Sequence, residues 1–242
     1  MKILSLNIYK QKNEDCAVAT VASVANYFNN NITYSQVCSL AEKTNKGCLA
    51  NGMFSGDIGI LLNNVGFNKI QICTSDIELY DFSWSLLEKK ELCRKIKQAS
   101  IKNKDYKQIY SNVYNFLKFK KENSLIVDLD FKKHIIESID KDKPVLVTID
   151  LTILHKDSKV NNGKIDTIMG STERHEVIAV GYDEQYICIV NPHKDKRRNS
   201  MLKYIDKGIF MMKWEHFISI SSSCDLHLIK DEMPIELNIK NE

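Results

Sequence analysis

The chain has 242 residues, room for one large domain or two small ones, and 43% hydrophobic with 27% charged residues is the balance of a folded globular protein. A net charge of +3 gives no pointer to nucleic acid, no run reaches the ~18 apolar residues of a membrane helix, and Met1 to Tyr9 lacks the apolar stretch of a signal peptide. Seven cysteines, Cys16, Cys38, Cys48, Cys73, Cys93, Cys188 and Cys224, are an odd number without CxxC spacing. They argue against a zinc finger or disulfide framework, and for the reducing cytoplasm or, if the protein is exported without a recognisable signal, the cytosol of a target cell.

In chain order, Val18, Val21, Ala22, Ala25 and Phe28 recur on one face and predict a helix from Cys16 to Phe28, with Asp15 as N-cap and Asn29–Asn31 as its stop. Tyr34 to Lys43 predicts a second helix capped by Thr33. A loop over Lys46–Gly56 leads to a helix opened by Ser55-Gly56-Asp57 and closed by Gly66, and Lys69 to Cys73 alternates as a strand. Residues 85–123 carry eleven Lys and Arg against four Asp and Glu, on a helical pattern of Leu86, Leu87, Cys93, Ile96, Ile109, Val113 and Phe116. That predicts two amphipathic helices whose basic face is ordinarily solvated. As a functional surface it would dock an acidic partner, a lipid or a nucleic acid, although no specific nucleic acid is expected.

A helix follows over Asp130–Ile139, a strand over Pro144–Asp150, a polar loop over Lys156–Thr172 and a β-hairpin over Glu176–Val190. A helix at Lys213–Ile218 and a strand at Asp225–Ile229 end the pattern. With helices first and strands later, the class is α+β, N-terminal helices on a mostly antiparallel sheet. The expected organisation is one domain over residues 1–242 with a basic helical insertion at about 85–123.

The hairpin carries the chemistry. Centred on Asp183, it sets His175 directly opposite Asn191, and opposed side chains share a face with Cβ atoms ~5 Å apart. An imidazole held by an amide is a base awaiting a nucleophile, and Cys16 at the start of an apolar helix supplies a thiol. The helix N-terminus favours the thiolate. Asn191 would orient the imidazole and fix its tautomer. Gln11, five residues before Cys16, would loop back to donate to an oxyanion together with the Cys16 N–H. Other histidines rank lower. His155 reads first as a loop histidine and second as a neighbour of the cleft. His193 reads as solvated beside Lys194, and His134, His216 and His227 lack sequence partners. No His/Cys cluster has metal-ligand spacing, and no cofactor is expected.

The run Gln11-Lys-Asn-Glu-Asp-Cys16-Ala-Val-Ala-Thr-Val-Ala resembles the nucleophile segment of the papain-like peptidases that cut double-glycine leaders from bacteriocin precursors, and of their stand-alone relatives. His175-Glu-Val-Ile-Ala-Val-Gly-Tyr-Asp is similar to their His strand, and Asn191-Pro192 sits where they usually carry Asp-Pro. The order of elements also resembles the guanylyl cyclase domain-containing proteins built on the same fold. The resemblance implies a papain-like cysteine peptidase acting on a peptide or protein. This chain departs from the pattern at Ala17, where Gly is common, and at Asn191, and the transporter domains many leader peptidases carry are not expected within these 242 residues. Transamidation or deamidation by the same triad is the alternative chemistry. A non-catalytic peptidase fold binding through the basic insertion is the alternative class. Cyclase activity is weaker still, because paired carboxylates and a phosphate-cradling Gly loop are missing.

Overall fold

The computed structural model of the chain describes residues 1–12, 15–29, 31–44, 52–161, 164–193, 203–206 and 208–231, without the side chains of 203–206. The elements run β1 (Lys2–Ile3), α1 (Cys16–Phe28), α2 (Tyr34–Thr44), α3 (Ser55–Asn64), β2 (Ile70–Thr74), a 3-10 turn (Phe82–Leu86), α4 (Lys89–Lys102), α5 (Lys107–Phe119) and β3 (Ser124–Val127). They continue α6 (Phe131–Asp140), β4 (Val145–Asp150), α7 (Leu151–His155), β5 (Val160–Asn161), β6 (Lys164–Ile165), β7 (Arg174–Tyr182), β8 (Tyr186–Val190), β9 (Lys203–Asp206), β10 (Ile209–Lys213), α8 (Trp214–Ile220) and β11 (Asp225–Ile229). Most of the loop predicted over Lys46–Gly56 lies outside the described residues.

Among the described residues one sheet runs β3-β2-β11-β4-β7-β8-β10-β9, with β1 paired to the far end of β7. Only β2 and β3 pair in parallel within it, so the class is α+β with a mostly antiparallel sheet, as the pattern predicted. One continuous apolar core joins the helices to this sheet. None of the described helices is long and apolar enough to cross a membrane.

α1 is buried from Ala17 to Asn26. Its small residues permit close packing, and its hydroxyls are satisfied locally. Thr20 Oγ1 donates to Ala17 O at 3.0 Å, and Ser23 Oγ donates to Ala19 O at 2.8 Å while accepting the Tyr9 N–H at 2.9 Å. Asp15 occupies the N-cap position, but its carboxylate makes no cap bond. It accepts instead from the Lys12 N–H at 2.9 Å and from the Tyr34 hydroxyl. Thr33 does cap α2, in a reciprocal box: the Gln36 N–H donates to Thr33 Oγ1 at 3.4 Å, and the Thr33 N–H to Gln36 Oε1 at 2.9 Å.

The predicted basic helices are α4 and α5, and α5 is keyed into the core. A Cβ on Gly56 would lie 2.3 Å from the main-chain carbonyl of Asn112, so α3 and α5 cross backbone to backbone there. Beside that crossing, Asn112 Nδ2 donates to Asp57 Oδ2 at 2.7 Å, both groups buried.

The hairpin register differs from the one read from sequence. Ile178 opposes Val190 and Ala179 opposes Ile189, but beyond Val180 the pairing shifts to Gly181 with Cys188 and Tyr182 with Ile187. Val180 is therefore a bulge, and its carbonyl accepts the Leu4 N–H at 2.7 Å. Continued past Val190, the inner register puts Val177, not His175, opposite Asn191. The shift is two residues, so His175 and Asn191 still share a face. Without the bulge the offset would be odd and the two would face apart. Gly181 allows the approach of β1, since a Cβ there would meet Lys2 O at 2.4 Å.

Gly56→Ala forces main chain against main chain where no side chain can yield. It should destabilise the protein by about 2–3 kcal/mol, read as a lower urea midpoint at unchanged slope. An unchanged midpoint would contradict the close crossing.

Candidate active site

His175 lies near the start of β7 and is 4% exposed. Its Nε2 is 2.8 Å from Asn191 Oδ1. The His193 backbone N–H also donates to that oxygen at 2.8 Å, which settles which end of the amide faces the ring. Nε2 therefore carries the hydrogen, and Nδ1 is the proton-accepting atom of the neutral ring. Burial pushes the His175 pKa down to about 4; the Asn191 bond opposes the shift, and the nearby His193 and His155 add to it. The imidazole is thus neutral near pH 7.

Cys16, the first residue of α1, and His175 line one cleft of about 550 Å³. Small and apolar side chains, among them Ala17, Met53, Ile58 and Leu79, form much of its wall. Asn191 and Gln11 are both buried, and neither lines this cleft. The segment before Cys16 is tied to the end of β8: the Gln11 N–H donates to Pro192 O at 3.1 Å and Lys10 Nζ to Asn191 O at 3.1 Å. The structure thus joins His175 to Asn191 by a side-chain bond and Gln11 to Pro192 by a main-chain bond, and sets Cys16, on the helix that follows Gln11, in one cleft with His175.

The remaining histidines differ from their sequence readings. His155 closes α7, whose first turn is capped by the Asp150 carboxylate accepting from the Ile153 N–H at 3.0 Å. It lies close enough to act electrostatically on His175, as a neighbour of the cleft rather than a remote loop residue. His193 is not fully solvated; its ring meets that of His175 edge-on, with centroids 6.1 Å apart. His134 pairs with Asp128 at 2.8 Å.

A polar network missed by the sequence reading lies beside His175. Glu176 is 2% exposed, and its Oε2 accepts the Thr148 hydroxyl at 2.9 Å. Its Oε1 faces His227 Nδ1 at 3.6 Å, an ion-pair distance beyond hydrogen bonding. His227 is 0% exposed, and its Nε2 lies 2.9 Å from the Ser55 carbonyl and 3.1 Å from Ser55 Oγ. Burial alone would lower the His227 pKa, but the Glu176 carboxylate and the Ser55 carbonyl outweigh it and the pKa is raised. His227 thus hydrogen-bonds through Nε2 to Ser55 while its Nδ1 faces the Glu176 carboxylate, which ties the start of α3, at the cleft wall, to the sheet that carries His175. The one signal in the sequence was an acidic residue inside an otherwise apolar strand.

A helix-borne cysteine, and a strand-borne histidine held by an asparagine, share one cleft in an α+β frame. Fold and site together define a papain-like protein. The chain belongs to the Peptidase_C39 like family, whose model matches residues 3–221. Its fold is similar to the crystal structure of a putative C39-like peptidase from Bacillus anthracis, at a TM-score of 0.51 and 12% identity, over 96% of this chain and 98% of that one. No curated protein matches the chain.

Two outcomes follow from the electrostatics. A histidine depressed from its unfolded 6.5 to about 4 stays neutral in the native state while the unfolded chain takes up a proton, so its contribution is intact above pH 6.5 and is lost as pH falls toward 4. The loss amounts to roughly 3 kcal/mol. Urea midpoints at pH 7 and pH 4.5 should converge in His175→Gln relative to the parent; equal slopes in both proteins would show that His175 does not titrate so. For the raised His227 the sign reverses, with stability full at low pH and lost as pH rises through its folded pKa. His227→Ala leaves Glu176 buried without its counter-ion and should cost about 3–5 kcal/mol, while Glu176→Gln with His227→Gln should recover part of that loss.

Proposed function

We propose that the protein is a cysteine peptidase that cleaves a peptide amide through a thioester. The hydrogen bond from His175 Nε2–H to Asn191 Oδ1 carries the reading, because it leaves Nδ1 as a base in the cleft that Cys16 lines. In this mechanism the Cys16 thiol gives its proton to His175, and Sγ bonds to the substrate carbonyl carbon. The oxyanion is met by the Cys16 N–H, joined by the Gln11 amide once that buried side chain turns into the cleft. The C–N bond then breaks as His175 returns the proton to the leaving amine. Water, deprotonated by His175, attacks the thioester and releases the acid and the thiol.

A neutral resting imidazole fits this sequence of steps, since it can take the thiol proton directly. Asn191 acts through His175 by holding the tautomer, so it is a positioning residue. The same thioester would also pass to an amine acceptor, which is the transamidation reading; product analysis with and without added amine separates the two. Seven cysteines without framework spacing support a reducing compartment, the cytoplasm or the cytosol of a target cell.

A peptidyl acyloxymethyl ketone should label Cys16 near neutral pH, located by peptide mass. Cys16→Ala should abolish labelling and turnover of a fluorogenic peptide while leaving the circular dichroism spectrum unchanged. His175→Ala should lower kcat by about 10²–10⁴-fold and Gln11→Ala by about 10²–10³-fold. Turnover that survives Cys16→Ala would rule the mechanism out, and an inert thiol in the parent protein would favour a binding module instead.

A further inference from the structure

A second cavity, of about 570 Å³, opens where α4 begins and α5 ends. Seven cations line it. Three are engaged by the protein itself. Lys89 Nζ donates to the carbonyls of Lys120, Lys121 and Asn123, each at 2.7 Å. Lys120 Nζ donates to Asn68 Oδ1 at 2.6 Å, and Arg94 grips Glu91 with Nε at 2.8 Å and Nη2 at 2.5 Å. The Lys89 bonds pin the first turn of α4 to the segment after α5, so the groove is built before any ligand arrives.

The other four, Lys90, Lys97, Lys118 and Lys121, have no carboxylate within 4.0 Å among the described residues. Between the cations the floor is apolar, with Leu117 and Cys93 both buried. Tyr114 lends a half-buried ring to the wall, stacked on no other ring among the described residues. Burial lowers the Lys89 pKa; Cys93 and the Glu122 carboxylate oppose the shift, and the Lys118 charge adds to it.

We propose that this groove binds a phosphorylated small molecule with a flat unsaturated body, its phosphates among the unpaired lysines and its body over Leu117 beside Tyr114. A polyvalent phosphate neutralises several ammonium groups at once, and lysine serves it as a point charge. The aromatic wall gives a planar body a stacking partner. Size favours a small molecule, since the cations surround one pocket within the ~300–1,000 Å³ of ordinary ligand sites. A membrane or nucleic-acid backbone would instead meet charge spread along a broad face. The site is separate from the cleft. Ile109 of α5 lines the cleft and Lys118 lines the groove, nine residues or ~14 Å farther along the same helix.

Calorimetric titration of the full chain with ATP and with inorganic pyrophosphate tests this. ATP should bind one to one, about tenfold more tightly than pyrophosphate, and both affinities should fall as salt rises. Lys97 and Lys118 are exposed, so Lys97→Glu with Lys118→Glu should leave thermal unfolding unchanged and weaken ATP about tenfold or more. Tyr114→Ala should bring ATP down to the affinity of pyrophosphate. Cys16→Ala should bind ATP as the parent does, so the groove and the thiol chemistry stand or fall separately. No saturable heat below about 1 mM ATP, an unchanged affinity in the charge-reversed variant, or tighter binding of a single-stranded oligonucleotide or of anionic lipid vesicles would overturn the proposal.

Discussion

The second and third residues of β7, His175 and Glu176, place polar groups where water cannot reach, and the rest of the molecule is arranged to meet them. His175 and Glu176 pair along β4 on one edge, and β8 takes up the other edge of β7 from Ile178 onward, so both side chains are buried. Buried polar groups at such positions persist only with internal partners. Each finds them in a different part of the chain. His175 takes Asn191, just past the neighbouring strand; Glu176 takes Thr148 from β4 and His227 from β11. His227 in turn reaches the start of α3. Two adjacent residues thereby couple the middle of the sheet to a helix packed on it, and the side chains at the cleft are positioned by the same contacts that hold the layers together.

What the sequence reveals of this depends on whether a partner is local. The Cys16–Phe28 helix, the Thr33 cap and the two hairpin strands are written in period and neighbouring residues, and each forms as the pattern predicts. The His175–Asn191 contact was legible for a similar reason, since a short turn leaves little choice of partner face. Its register was not, because the bulge at Val180 depends on β1, which lies more than 170 residues earlier in the chain. The strands β1 and β3 and the helix α7 are too short for a periodic signal. The Glu176–His227 pair joins residues about fifty apart whose surroundings give no hint of each other. Asp15 shows the reverse failure, a residue of ideal cap chemistry drawn away by Tyr34.

Dryness gives the cleft its electrical character. An imidazole in water sits close to half-charged near neutrality, whereas burial keeps His175 uncharged well into acid. At the middle of β11 the opposite outcome holds for His227, where a carboxylate reverses the effect of burial. The two histidines lie on strands of one sheet and differ in protonation because one faces an amide and the other a carboxylate.

The bulge makes the length of this hairpin a discrete variable. A single residue gained or lost between β7 and β8 can be absorbed into an equally good ladder, yet it sends Asn191 to the face of the sheet opposite His175. Two residues restore the match. Lineages that keep the pair should therefore change this hairpin in even steps, or offset an odd change at the turn by creating or erasing a bulge elsewhere in the same two strands. Drift in the loop is then filtered by parity, because an odd change leaves the buried His175 without its amide partner.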